Sequence, residues 1–141
     1  MKFIALVSAL VVSTYAHFEM VSPVPRVVDL GGMDEDQKVG PCGRGGEVPT
    51  KPRVPLSSLQ GKVKLFFHWS GSNDIYLGKG NNPKTFPFRI GRLPSAQMGQ
   101  PKDVSINVSR AGLKKGENIT IQAVCHQDGF DIYQCADVYV D

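Results

Sequence analysis

From residue 17 onward the apolar residues either alternate with polar ones or come in runs too short for a helix, and a glycine or proline interrupts them every few positions. With 15 glycines and 10 prolines in 141 residues, long helices have no place to form. Residues 62–69 alternate most clearly. Val63, Leu65, Phe67 and Trp69 share one face, and Lys62, Lys64, Phe66 and His68 share the other. Residues 74–77, 85–90, 104–108, 118–124 and 132–140 read as further strands, and another begins near residue 17. Residues 78–83 and 114–117 read as turns. Strands at this spacing predict an all-β domain, a small antiparallel Greek-key sandwich. Residues 31–55 are different: Gly31 and Gly32, the acidic run Asp34-Glu35-Asp36, then Pro41-Cys42-Gly43-Arg44-Gly45-Gly46. This composition predicts a long loop tethered through Cys42.

The first sixteen residues read as a secretory leader. Lys2 gives a basic start, residues 3–12 are almost wholly apolar, and Thr14 and Ala16 are the small residues a signal peptidase inspects. Cleavage after Ala16 would leave one domain, residues 17–141. The formal charge of +3 comes from dispersed side chains, which gives no footing for a nucleic-acid partner. No later stretch is long and apolar enough to span a bilayer, and no lipid-anchor signal precedes Asp141. These features predict a secreted, extracellular monomer. In an oxidising compartment Cys42, Cys125 and Cys135 would form one disulfide and leave one thiol, with three pairings open. Asn107-Val108-Ser109 and Asn118-Ile119-Thr120 are glycan acceptor triplets.

Leader removal would make His17 the first residue. Its free amine and Nδ1 could then close a chelate ring on one ion, a donor set that suits copper in a tetragonal field. One further imidazole would complete three nitrogens. His68, at the end of a strong strand, is the better candidate; His126, beside Asp128-Gly129, reads as a solvated loop residue. Such a site should lose affinity on acidification, because protons compete for the amine and both rings. Trp69 belongs to the core face of its strand rather than to a sugar-stacking surface. No Gly-x-Ser-x-Gly elbow supports hydrolysis, and there are too few clustered Cys and His residues for structural zinc.

Several motifs in order resemble the fungal copper-acquisition relatives of the lytic polysaccharide monooxygenases. They are His17-Phe18 leading to Pro23-Val24-Pro25-Arg26, Pro41-Cys42-Gly43, His68 after its strand, residues 116–122, and Tyr133-Gln134-Cys135-Ala136-Asp137. The resemblance implies an immunoglobulin-like, monooxygenase-like sandwich whose histidine brace holds copper without oxidising polysaccharide. Carried over, the metal ligands are His17, His68 and the carboxylate of Asp137, with Asp74 as the rival carboxylate. Aspartate is unusual inside a strand, so Asp137 invites an explanation, although alternation puts it on the face of Tyr133, Cys135 and Tyr139, where a plain solvated aspartate is the competing reading. The same resemblance pairs Cys42 with Cys135 and leaves Cys125 unpaired; because Cys125 continues the apolar face of Ile119, Ile121 and Ala123, its thiol is expected to be buried. It implies copper capture or delivery, with a cell-surface importer and the cell wall as partners. A copper-dependent polysaccharide monooxygenase and a metal-free extracellular interaction module are the competing readings.

Overall fold

A computed structural model describes residues 18–27, 34–68 and 70–141; His17 and Trp69 lie outside the described residues. The fold is the expected β-sandwich. One sheet has three strands in the order β1-β3-β6, from β1 (Phe18–Ser22), β3 (Lys62–Phe67) and β6 (Pro101–Ser105). The other has five in the order β2-β8-β7-β4-β5, from β2 (Val54–Pro55), β8 (Phe130–Tyr139), β7 (Asn118–Gln127), β4 (Gly71–Lys79) and β5 (Phe88–Ala96). All pairs are antiparallel except β2 with β8.

The alternation of β3 decides the core. Val63, Leu65 and Phe67 are fully buried, against Phe18 and Met20 of β1, Val104 of β6, and Ile75, Leu77, Ile119, Ile121, Ala123, Ile132, Ala136 and Val138 of the larger sheet. Burying each valine, leucine, isoleucine, phenylalanine or methionine among them contributes roughly 1.5–3 kcal/mol. Cys125 extends the apolar row of β7 and is buried, as its sequence position implied. Burial raises its thiol pKa to about 11 and keeps it protonated, while Gln127 Nε2 lies 3.0 Å from the sulfur.

Several strands run beyond their predicted limits. Gly78, read as opening a turn, lies inside β4, where a Cβ would meet the Thr85 carbonyl oxygen at 2.6 Å; the glycine serves close approach. Pro94 and Pro101 are tolerated because β5 and β6 are edge strands. Within residues 31–55 the chain makes a single helical turn, α1 (Asp34–Gln37), and the short β2, both too brief to give a periodic signal. The disulfide Cys42–Cys135, with its Cα atoms 5.1 Å apart, draws this segment onto the outer face of β8, and Gln122 Nε2 donates to the Pro41 carbonyl at 2.8 Å beside it.

Opposite faces of β3 should respond unequally. Leu65→Ala is expected to cost about 2–5 kcal/mol, and Lys64→Ala on the exposed face within about 0.5 kcal/mol, read as urea-unfolding midpoints. Equal losses would contradict the assignment of faces.

Candidate metal centre

His68 immediately follows β3, the central strand of the three-stranded sheet. On one side β1 is in register, with Phe18 opposite Phe67 and Glu19 opposite Phe66. On the other, the loop between β5 and β6 is held by Gly99 N–H donating to the Phe67 carbonyl at 2.8 Å. The His68 ring packs edge-on to Phe66, with centroids 4.9 Å apart, and its Nε2 lies 3.9 Å from Glu19 Oε1. The side chain is about one-third exposed (36%). This end of the sheet therefore presents an imidazole and a carboxylate together on its outer face.

Asp137 has a different place. It projects from the outer face of β8 beneath the disulfide-tethered loop and is almost fully buried (6%). Arg26 grips it with two parallel bonds, Nε to Oδ2 and Nη2 to Oδ1, each 2.8 Å. Thr120 Oγ1 donates to Oδ1 at 2.8 Å, and Arg53 Nη1 stands 3.5 Å from the same oxygen. The guanidinium also donates to the Gly46 carbonyl at 2.9 Å and to Asn82 Oδ1 at 3.1 Å, and the Arg26 backbone N–H donates to the Cys135 carbonyl. Both Asp137 oxygens thus already accept strong bonds. The residue also lies six positions along β8 from Asp131, roughly 20 Å at strand rise, whereas Ser72, four residues after His68 in the chain, pairs with His126, which pairs with Asp131. The structure does not bring Asp137 and His68 together.

Asp74 alternates with the core residues Asn73 and Ile75 and so faces outward from the five-stranded sheet, while His68 faces outward from the other sheet. Its neighbour is His126. That histidine lies within β7, partly buried, not in a solvated loop. Its Nε2 is 2.7 Å from Asp74 Oδ2 and its Nδ1 is 2.8 Å from Asp131 Oδ1, so the ring staples β4, β7 and β8. A neutral imidazole has a single N–H and cannot donate to both carboxylates; the geometry calls for the cation. Burial opposes that charge, but the hydrogen bonds and charges of Asp131 and Asp74 outweigh it and the His126 pKa is raised. Burial, together with the same carboxylates, raises the phenol of Tyr76, and burial with Asp131 raises that of Tyr133.

Among the described residues no group of three or more His, Cys, Asp and Glu side chains is arranged to hold a metal. His17, the residue on which the expected brace depends, lies outside them. Sequence reading passed over Glu19, which sits beside His68; the strand period that links positions 17 and 19 was the available signal.

A family profile described as Copper acquisition factor BIM1-like matches residues 15–141. The chain belongs to this family of BIM1-like copper acquisition factors. A comparison with curated proteins finds no match. Membership of the BIM1-like family supports a copper-related function, and the Cys42–Cys135 bridge is the one that the sequence resemblance implied. Among the described residues no helix is long and apolar enough to cross a membrane.

Two measurements probe the buried charges. Asp137→Ala strands the Arg26 guanidinium away from water and is expected to cost about 3–5 kcal/mol in unfolding free energy, while the paired change Arg26→Met with Asp137→Leu should cost less than the two single changes summed. For His126, a folded pKa raised above the ordinary value of 6.5 contributes stability that is fully present below about pH 6.5 and disappears as pH rises through the raised value. The stability difference between wild type and His126→Gln should therefore narrow as pH rises above about 6.5; a constant gap would contradict an imidazolium staple.

Proposed function

We propose that this protein is a secreted copper-binding factor that takes up one copper ion at the outer end of β1 and β3, for acquisition or delivery at the cell surface. The observation that carries the reading is the register of Phe18 opposite Phe67. Continued by one residue, that ladder would set position 17 opposite His68. With the leader removed after Ala16, the amine and Nδ1 of His17 would then meet the His68 imidazole, giving three nitrogen donors, with the Glu19 carboxylate beside His68 as the nearby oxygen.

The donor chemistry fits. Imidazole, amine and carboxylate suit Cu(II), and an anionic oxygen next to three nitrogens favours the oxidised ion and shields the position a monooxygenase keeps open for its co-substrate. Copper is therefore cargo in this reading, and the chain's own task is to hold and release it. Phe66 and the Gly99 backbone bond fix the strand end that presents His68, which limits the ordering cost of binding. In this reading Asp137 serves the fold through Arg26 and is not a ligand. The recipient would be a surface importer or the cell wall.

The test begins with the intact mass of the secreted protein, expected to start at His17. Electron paramagnetic resonance of the Cu(II) form should then report three nitrogens. His68→Ala is expected to weaken copper by at least about tenfold, Glu19→Gln to weaken it less, and copper affinity in Asp137→Asn to match that of the wild type. Unchanged affinity in His68→Ala would sink the site. Reductant-dependent release of oxidised oligosaccharides from a polysaccharide would transfer the same ligands to an enzyme.

A further inference from the structure

We propose that Asn107 carries an N-linked oligosaccharide and that Asn118, in an equally good acceptor triplet, does not. The two sites differ in every feature that a bulky attached sugar would sense. Asn107 follows β6, exposed, ahead of a 3₁₀ turn at Ser109–Ala111. Its backbone N–H donates to the Ile90 carbonyl at 2.8 Å, and its Oδ1 accepts the Ser109 N–H at 3.0 Å. The side chain is thus oriented through its oxygen, which leaves the amide nitrogen for attachment. It stands on the rim of a groove of about 350 Å³, lined by Phe88, Ile90 and Arg110, that offers room and a partly apolar wall for a first sugar ring. Ser109 is exposed.

In the second triplet the same residue types already have structural duties. Asn118 is half-buried, and its Nδ2, the atom a glycan would occupy, donates to Asn81 Oδ1 at 2.8 Å. Its carbonyl accepts the Gly80 N–H at 2.8 Å, closing the turn after β4. Thr120 is fully buried, and its hydroxyl is committed to the Arg26–Asp137 pair. Asparagine and threonine two apart are therefore explained here by a turn and a buried ion pair, and a glycan would have to break the first and lift the chain off the second.

The chemistry is transfer from a lipid-pyrophosphate-linked oligosaccharide. Asn107 Nδ2 bonds to C1 of the sugar, the C1–oxygen bond to pyrophosphate breaks, one amide proton is released, and the lipid pyrophosphate departs. Since Phe66 pairs with Pro101 and Lys62 with Ser105, Asn107 lies beyond the end of β6 remote from His68. The sugar would shield that end and leave the copper end open.

This inference rests on the secretory reading, and the experiment separates the two. The full chain is expressed in a eukaryotic host, recovered from the medium, and analysed as intact protein and as glycopeptides before and after enzymatic deglycosylation. The expected result is a terminus at His17 with sugar on Asn107 alone; Asn107→Gln and Ser109→Ala should each remove it, and Asn118→Gln should leave the glycan mass unchanged. A secreted, His17-started protein with no sugar, or with Asn118 occupied as fully as Asn107, overturns the glycan assignment and leaves secretion standing. A chain retained in cells with Met1 intact overturns both.

Discussion

The Arg26–Asp137 pair is the interaction on which the covered face of the larger sheet depends. An aspartate in the middle of a strand, beneath a loop and nearly dry, is unfavourable unless its charge is met. Arg26 meets it with a planar, two-bond grip that a lysine could not reproduce. The same guanidinium then reaches Gly46 and Asn82, so one side chain ties the segment after β1, the Gly-rich loop and the turn after β4 to β8. The Cys42–Cys135 bridge lies two residues away on the same strand and fixes the loop that keeps water off the pair. Charge pairing and cross-link support each other. The loop needs the bridge because it has little regular structure of its own, and the ion pair needs the loop because in open water it would contribute little.

This division gives the molecule two chemically distinct surfaces. The outer face of the five-stranded sheet is occupied by structural charge: Arg26 with Asp137 at one end, and Asp74, His126 and Asp131 at the other. Asp137 and Asp74 are the buried carboxylates of this face, and removing the partner of either would leave an uncompensated, poorly hydrated charge. On the outer face of the three-stranded sheet, the His68 end sets Glu19 and His68, both partly exposed, 3.9 Å apart.

What the sequence disclosed and what it hid follow from separation along the chain. Strand faces were legible because alternation is local, and the β3 residues fell where period two put them. The destination of Cys125 was legible for the same reason. The strangeness of Asp137 within a strand was visible, but its partner was not, since Arg26 stands 111 residues earlier and nothing local to either predicts their meeting. His126 read as a loop residue because Asp128 and Gly129 follow it; the hairpin turn is tighter than expected, β7 runs to Gln127, and the histidine is carried onto the sheet between Asp74, 52 residues away, and Asp131. Family resemblance supplied two imidazoles and a carboxylate but could not tell which aspartate or glutamate shares a sheet end with His68. Only the β1–β3 register decides that.

The register also links maturation to chemistry under the proposed reading. Phe18 and Met20 are buried while Glu19 is partly exposed and Val21 exposed, so the odd-numbered positions of β1 face outward with His68. A strand that slips by one residue turns every side chain to the other face. Phe18, fully buried against the core, prevents that slip. The residue before it is therefore the last one that strand alternation would direct to the His68 face, and cleavage after Ala16 would make its nitrogen the free terminus. Cleavage one residue later would leave Phe18 as the terminus, with an inward side chain and no imidazole; cleavage one residue earlier would acylate the His17 amine and remove it as a donor. The buried phenylalanine is thus the reason that the position of a peptide-bond cut, and not just the presence of two histidines, would determine whether three nitrogens converge.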